Sequence, residues 1–248
     1  MLAPRALNGD TFGSPRHPLT VCIPPKCSYC SEDRPLRIGV VLFPGFQALD
    51  AFGPLDVLNI LSWSHNISIS LLSLTLDPVS TKPPRKATAT GQSILPTHTF
   101  ASAPPLDVLL IPGGLGTRSL AAPVEHAISF IRSNHVHLKY LITICTGTSL
   151  AARAGILDGK RATTNKMAWA ETTALRPQVE WVPHARWVVD GNIWTSSGVS
   201  AGIDVTLAWV EEVFGANVAE EIARGMEYEW RHDPTHDPFA EHWGLWPL

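Results

Sequence analysis

Residues 140–155, YLITICTGTSLAARAG, decide the fold that we predict for this chain. An apolar run of the kind found in buried strands covers 140–144, and a segment of helical character follows over 146–154. Gly155 then stands where glycine commonly ends a helix. Cys145 is therefore predicted to lie at a strand-to-helix turn. Residues 37–43 and 107–111 are two further buried strands, and each leads into a turn with glycine and proline.

The remaining segments alternate between strand and helix. Helices are predicted from Gly53-Pro54 through 61 and over 124–133, 168–175, 201–214 and 217–230, the last with Val218, Ile222 and Met226 on one apolar stripe. Strands are predicted over 67–76, 180–189 and 192–196, with a loop at 78–86 and a short segment at 93–96. Asp190-Gly191 is a strong hairpin turn between the last two strands.

Buried strands separated by helices indicate a mostly parallel sheet covered on both faces. We therefore predict one α/β domain, a flavodoxin-like sandwich with a small antiparallel hairpin, over 37–230. Residues 1–36 are rich in proline and lack apolar periodicity, which predicts a disordered N-terminal extension. Residues 231–248 form a C-terminal aromatic tail.

Composition excludes several classes of function. The chain has 19 basic and 22 acidic residues, a net charge of -3 and no run of Lys or Arg, so neither nucleic acid nor an anionic membrane is an expected partner. No apolar stretch is long enough to span a membrane, and the first residues lack the apolar segment of a signal peptide. We expect a soluble, intracellular protein of the cytoplasm.

Two segments contain residues that metals bind, but neither favours a metal site. Cys22, Cys27 and Cys30 have a partial zinc-ligand spacing, with His17 as a fourth candidate, yet no second Cys-x-x-Cys pair follows. We interpret them as exposed thiols in the extension.

The tail repeats His-Asp-Pro at His232 and His236, and its prolines prevent the helix that would align the two histidines. Phe239, Trp243 and Trp246 instead suggest a strap that packs on the domain or on a partner subunit.

The carboxyl ends of the parallel strands are where ligands bind in such sheets. Three turns, 43–54, 112–116 and 145–147, are predicted to meet there. A cysteine at a helix start is exposed to N–H groups that favour the thiolate, so Cys145 is a candidate nucleophile with a lowered pKa. The alternative is that Cys145 is a small apolar filler of the core.

The first turn contributes Asp50, which has apolar neighbours that would raise its pKa and suit it to acid or base catalysis. Its alternative role is an N-cap for the helix that begins at Gly53-Pro54, and Asp56 competes as an ordinary first-turn acid. The middle turn has Gly113, Gly114 and Leu115, whose backbone N–H groups are expected to face a ligand. A dinucleotide-binding loop is disfavoured because the G-x-G-x-x-G order is absent.

These motifs resemble the DJ-1/PfpI superfamily, whose members have a cysteine elbow, an acidic residue in the first turn and a P-G-G loop. The similar stretches are LFPGFQALDAFGPLDVL, PPLDVLLIPGGLGTRSL, ICTGTSLAARAGILDGKRATTN and SSGVSAGIDVTLAWVEEVFG. An aspartate at position 50 and Cys-Thr-Gly at 145–147 resemble the isocyanide hydratase branch.

The resemblance implies a reaction. Cys145 attacks the terminal carbon of a small apolar isocyanide, Asp50 supplies or relays the proton, and water resolves the thioimidate to a formamide. Thr146 would hold the reacting groups, and N–H groups near Gly114 and Leu115 would stabilise charge. The resemblance further implies that no cofactor is needed and that the protein is a homodimer.

One position departs from the family pattern. Where relatives usually have His, this chain has Asn165, followed by Lys166 and Trp169, and these three residues are expected to shape the substrate pocket. An amide cannot act as a general base, so a Cys-His hydrolase is disfavoured. The alternatives are glyoxalase-like conversion of methylglyoxal, which Asp50 and Asn165 disfavour, and a redox sensor that uses oxidation of Cys145. A DNA-binding regulator is disfavoured because the sequence has no segment for a helix-turn-helix module.

Overall fold

The structure is a computed structural model that describes residues 34–84, 86 and 88–245. Its eleven strands are β1 (Leu36–Val41), β2 (Ile67–Ser73), β3 (Val79–Ser80), β4 (Ser93–Ile94), β5 (His98–Thr99), β6 (Val108–Ile111), β7 (Tyr140–Thr143), β8 (Arg161–Ala162), β9 (Glu180–Trp181), β10 (Trp187–Asp190) and β11 (Ile193–Ser196). Its helices are α1 (Ala48–Leu61), α2 (Ala122–Asn134), α3 (Gly147–Arg153), α4 (Trp169–Ala174), α5 (Ala201–Phe214), α6 (Ala216–Gly225) and α7 (Pro238–His242). Short 3-10 helices cover Phe100–Ser102, Leu115–Arg118 and His135–His137.

Seven strands form the main sheet, in the order β10-β11-β7-β6-β1-β2-β5. Every neighbouring pair is parallel except β10 and β11, which form the predicted antiparallel hairpin, with Gly191 at φ 61 in its turn. All four residues of β6 are buried, so both faces of the sheet centre are covered. The helices pack in two groups, α1 with α5 and α6, and α2 with α3. The predicted α/β sandwich is confirmed.

Helix α1 begins earlier than predicted. It starts at Ala48 instead of at Gly53-Pro54, and Pro54 lies inside it. The N–H of Gln47, the residue before the helix, donates to Gly113 O at 2.8 Å, which fixes the start at the turn after β1. Gly53 packs closely on α5, because a Cβ there would lie 2.8 Å from Ile203 Cγ1. This packing outweighs the backbone hydrogen bond that Pro54 cannot make.

Three other predicted elements differ from the structure. The strand predicted over 180–189 is two strands, since Pro183 cannot donate to a ladder; β9 pairs with β8, and β10 joins the main sheet. The predicted loop at 78–86 contains β3, which pairs antiparallel with β4. Helix α6 ends at Gly225 and not at 230, because the chain turns at Glu227 with φ 51.

The core lies between the sheet and the helices, and Phe43, Phe46 and Trp209 are fully buried in it. Trp209 contacts Tyr140 of β7 and Phe214 of α5 edge to face. This packing fixes α5 against the start of β7. None of the described helices is long and apolar enough to cross a membrane. The extension, apart from residues 34–36, and Trp246 of the tail lie outside the described residues, as do Cys22, Cys27, Cys30 and His17.

Candidate active site

The three predicted turns meet at one corner of the sheet. The N–H of Gly113, after β6, donates to Asp50 Oδ2 of α1 at 2.9 Å. The N–H of Gly114 donates to Thr146 Oγ1, after β7, also at 2.9 Å. A Cβ on Gly113 would lie 2.5 Å from the Thr146 nitrogen, so only glycine allows this approach. The topology thus brings Asp50 and Cys145 together, as predicted.

Cys145 occupies the strained turn between β7 and α3. Its φ is 57°, in the left-handed region that few residues other than glycine adopt. The Cys145 N–H donates to Ser197 O, after β11, at 3.0 Å. A Cβ at Gly147 would lie 2.2 Å from Ile111 O, so the helix start is pressed against the end of β6. This geometry is a nucleophile elbow, with the side chain only 5% exposed.

Asp50 lies in the first turn of α1 and is completely buried. It therefore is not the N-cap that the alternative interpretation required, since Gln47 holds that position. Burial raises the pKa of Asp50 to about 7, while the Gly113 N–H and the adjacent Cys145 thiol act to lower it. Its Oδ1 receives no well-formed hydrogen bond from the described part of the chain. A buried carboxylate with one such oxygen can accept a proton or orient a bound water.

The pKa of Cys145 differs from our prediction. We expected the start of α3 to lower it, and this expectation is wrong. Burial, together with the negative charge of Asp50, raises the pKa of Cys145 to about 12. Helix α3 has only seven residues, and its field does not outweigh these two effects. The resting site therefore holds a neutral thiol beside the Asp50 carboxyl group.

Three donors favour negative charge on the sulfur: the backbones of Val199 and Thr146 and the side-chain amide of Asn165. Asn165 Nδ2 lies 3.2 Å from Cys145 Sγ, and Asn165 Oδ1 accepts the Ala168 N–H at 3.0 Å, which fixes the orientation of the amide. The backbone of Val199 faces the sulfur as well and lowers its pKa. Val199 has φ 39°, an outlier for a β-branched residue, so the backbone is strained where it faces the nucleophile.

The Thr146 hydroxyl and the backbone of Gly114 bond each other, whereas the Thr146 backbone N–H faces the Cys145 sulfur and acts to lower its pKa. The Thr146 hydroxyl donates to Gly114 O at 3.2 Å, in addition to accepting the Gly114 N–H. The Gly114 N–H is thus engaged in this structure. Leu115 begins a short 3-10 helix and lines a separate cavity with Pro83 and Pro84. The structure therefore brings Gly113 and Thr146 to the reacting pair and directs Leu115 towards a different cavity.

Lys166 is held inside the protein. Its ammonium group donates to Thr163 Oγ1 at 2.6 Å and to Ala185 O at 2.7 Å, and the side chain is 2% exposed. Burial lowers its pKa to about 8, against the charge of Asp237. Trp169 lies 5.2 Å from the Lys166 ammonium and edge to face with Trp181. Both residues therefore support the wall that carries Asn165.

A cavity of about 490 Å³ opens beside the elbow. We call it the tail cavity, because one wall comes from the C-terminal tail. Its lining includes Asn165, Ser197 and Val199 on the side of the elbow, and Phe239, His242 and Trp243 on the side of the tail. The predicted strap thus packs on the domain, next to the site.

Sequence reasoning missed three contributors. Ser197 and Val199 act through their backbones, which residue type does not reveal, although both lie in the quoted SSGVSAG stretch. Arg118 follows the P-G-G loop; its hydrogen bond to Glu171 raises the pKa of its guanidinium, and the negative charge that Cys145 carries once deprotonated contributes less. Within the described ranges, no group of three or more His, Cys, Asp or Glu side chains is arranged to hold a metal ion.

Comparison with known proteins identifies relatives. Residues 36–212 match the model of the DJ-1/PfpI family. Isonitrile hydratase from Pseudomonas putida is 38% identical over 194 residues, 78% of this chain and 78% of that protein. The HTH-type transcriptional regulator GbdR of Pseudomonas aeruginosa is 28% identical over 198 residues, 79% of this chain but 51% of the regulator. A crystal structure of a ThiJ/PfpI family protein from Pseudomonas syringae has a TM-score of 0.66 and 28% identity, and the match covers 86% of this chain and 85% of that one.

Proposed function

This chain belongs to the DJ-1/PfpI family, as its motifs predict, and we propose that it is a lyase that hydrates isocyanides to N-substituted formamides. The observation that supports this most is the buried pair of Asp50 and Cys145, with the pKa of Asp50 near 7. A carboxyl group with that pKa readily accepts and returns a proton at neutral pH. The similarity to isonitrile hydratase is in agreement with this chemistry.

The first step joins the thiol to the terminal carbon of R–N≡C. As the sulfur of Cys145 attacks, Asp50 takes the thiol proton and passes it to the same carbon. One S–C bond and one C–H bond form, and the product is the thioimidate R–N=CH–S–Cys. Asn165 and the Val199 N–H stabilise the charge that develops on the sulfur before the S–C bond is complete.

Water completes the reaction. It adds to the thioimidate carbon, and Asp50 accepts its proton and relays it to the nitrogen. Cleavage of the C–S bond transfers the hydroxyl proton to the sulfur and releases R–NH–CHO. The sum is R–N≡C plus H₂O, so the balance requires no cofactor. Asp50 Oδ1 is suited to orient this water because it has no well-formed hydrogen bond from the described residues.

Two other functions receive less support. Glyoxalase-like relatives of the family rely on Glu and usually His, whereas this site has Asp50 and Asn165. A redox sensor needs an accessible thiolate, whereas Cys145 is 5% exposed and burial raises its pKa.

An isocyanide hydration assay tests the proposal. Purified protein is incubated with benzyl isocyanide in H₂¹⁸O, and the formamide is measured by mass spectrometry. We expect catalytic formation of formamide labelled at the formyl oxygen, and its loss in Cys145→Ala. Cys27→Ala, which alters a cysteine of the predicted extension, is the matched control and should retain full activity. Absence of turnover by the wild type, or full turnover by Cys145→Ala, would contradict the proposal.

The organisation around this site stays a prediction: an extension over 1–36, a domain over 37–230, a tail over 231–248, a homodimer and a cytoplasmic location. Limited proteolysis with mass spectrometry tests the boundaries. Sedimentation equilibrium tests the dimer, which a monomer mass would contradict.

A further inference from the structure

The tail cavity shares a wall with the reacting pair. Asn165, whose amide lies 3.2 Å from the Cys145 sulfur, lines it, and so do Ser197 and Val199, whose backbones face Cys145. The thiol itself is nearly buried. Cys145 itself does not line the cavity, so the cavity is positioned to hold the N-substituent of a substrate and not its isocyano group.

The opposite wall comes from a well-anchored part of the tail. Asp237 is fully buried, its Oδ1 caps the start of α7 through the Phe239 N–H, and it lies 3.7 Å from the Arg186 guanidinium. Its N–H donates to His184 O, and the Arg186 N–H donates to Pro234 O, both at 2.8 Å. These contacts hold the tail side of the cavity in a fixed position on the domain.

Two aromatic side chains of this wall keep much of their surface exposed. Phe239 is 51% exposed and Trp243 is 45% exposed, although both line the cavity. Burial of apolar surface is favourable, so a ligand that covers these rings gains affinity. A ring that packs against another ring gains more than its buried area alone provides.

The size and charge of the cavity restrict the occupant. Its volume of about 490 Å³ lies in the range of roughly 300–1,000 Å³ typical of sites for drug-sized ligands, well above the needs of a short alkyl group. The ammonium of Lys166, which also lines it, is already engaged by Thr163 and Ala185. A bulky, uncharged, planar group fits best.

We propose that the tail is the specificity element of this site and that it selects isocyanides whose N-substituent carries an aromatic ring, which packs against Phe239 and Trp243. The inference rests on the proposed function and names its substrate class. Phe239 and Trp243 take no part in the chemistry at Cys145, so they act through substrate binding.

The test compares benzyl isocyanide with n-butyl isocyanide as substrates. We expect wild-type kcat/KM to be at least about tenfold higher for the benzyl compound. Phe239→Leu and Trp243→Leu keep an apolar side chain but remove the ring, and each should lower this ratio about fivefold, mainly through KM. Trp63→Leu is the control, because Trp63 is 81% exposed and does not line the cavity. Its ratio should match that of the wild type.

A binding measurement separates recognition from turnover. Calorimetry with Cys145→Ala should show tighter binding of N-benzylformamide than of N-butylformamide, and Phe239→Leu in that background should reduce the difference. Equal kcat/KM for the two isocyanides overturns this inference and leaves the proposed function standing. The same holds if Trp63→Leu changes the benzyl-to-butyl ratio as much as Phe239→Leu and Trp243→Leu do. Absence of hydration of either isocyanide overturns the proposed function and this inference with it.

Discussion

Asp50 and Asp107 are both largely buried aspartates at ends of the same sheet, yet their pKa values are shifted in opposite directions. Burial raises the pKa of Asp50 to about 7. Burial acts in the same direction on Asp107, but hydrogen bonds from Arg37 and the charge of Lys139 outweigh it and lower the pKa to about 2. The cations that accompany burial, and not burial alone, decide the protonation of a carboxyl group.

The neighbours of the two residues explain this difference. Asp107 precedes β6. Its carboxylate accepts hydrogen bonds from the Arg37 backbone N–H at 3.0 Å and from the Arg37 Nε at 2.9 Å, and it forms an ion pair with Lys139 Nζ at 3.3 Å. Asp50 accepts one backbone N–H, from Gly113, and its other close partner is the neutral thiol of Cys145. Asp107 therefore connects the starts of strands, whereas Asp50 at their carboxyl ends is free to exchange a proton.

The largest expected effect comes from Asp50→Asn, which removes the exchangeable proton. We expect kcat/KM for isocyanide hydration to fall about a thousandfold or more. The pKa of Asp50 is about 7 in the folded protein and 3.8 in its ordinary state, so the carboxylate is disfavoured by folding. The wild type therefore loses stability as the pH rises from about 4 to 7. Asp50→Asn should therefore unfold with a free energy about 1–4 kcal/mol higher at pH 8, measured by urea denaturation. Asp56→Asn, an exposed change on the same helix, is the control and should alter neither quantity. Retention of activity by Asp50→Asn would remove the proposed role.

The pH dependence of the wild type should follow the same group. Because the Asp50 carboxylate must accept the thiol proton, we expect kcat/KM to fall about tenfold per pH unit below pH 7 and to level above it. Stopped-flow assays from pH 5 to 9 measure this profile. Activity that rises as the pH falls below 7 would mean that the protonated carboxyl group is the active form.

A smaller effect is expected from Asn165→Leu, which removes a donor to the sulfur. A hydrogen bond to a charged group is worth about 1.5–3 kcal/mol, so kcat/KM should fall about tenfold or more. The rate of alkylation of Cys145 by iodoacetamide should fall in parallel, which a purely structural change of the loop would not predict. An unchanged alkylation rate would show that the amide does not act on the thiol.

Asp107→Asn should have the smallest effect on activity, with kcat/KM unchanged. The folded-state pKa of about 2 lies below the ordinary 3.8, so Asp107 contributes stability above that window, and this is lost as the pH falls through it. We expect a loss of about 1–2 kcal/mol at pH 7, since Arg37 and Lys139 are partly exposed and solvent screens them. Urea denaturation at pH 7 measures this loss of unfolding free energy. A large loss of activity in Asp107→Asn at unchanged stability would show that Asp107 takes part in the reaction as Asp50 does.

The sequence predicts the sheet well because its strands are continuous apolar runs, and the meeting of Asp50 with Cys145 follows from parallel topology. The early start of α1 could not be predicted, since it depends on Gln47 bonding Gly113 and on Gly53 packing against α5. The division of the predicted strand 180–189 into β9 and β10 could have been predicted, because Pro183 has no N–H to donate to a strand ladder.

The pKa of Cys145 was predicted in the wrong direction because the local motif shows only the helix that follows. The opposing effects are burial by the whole fold and the charge of Asp50, which is distant in sequence. Backbone donors such as Val199 cannot be recognised from residue type either. Position 165 did carry a signal, since an amide in place of a base already indicated a site without a Cys-His pair.

The two strained residues at the elbow have a consequence for thermal inactivation. Cys145 and Val199 both adopt positive φ, and such conformations cost about 1–3 kcal/mol each. The strands and glycine turns around them hold this strain in place, and any loosening of that frame lets the backbone relax. Relaxation moves the sulfur away from its donors before the sheet itself melts. On warming, activity is therefore lost at a lower temperature than secondary structure.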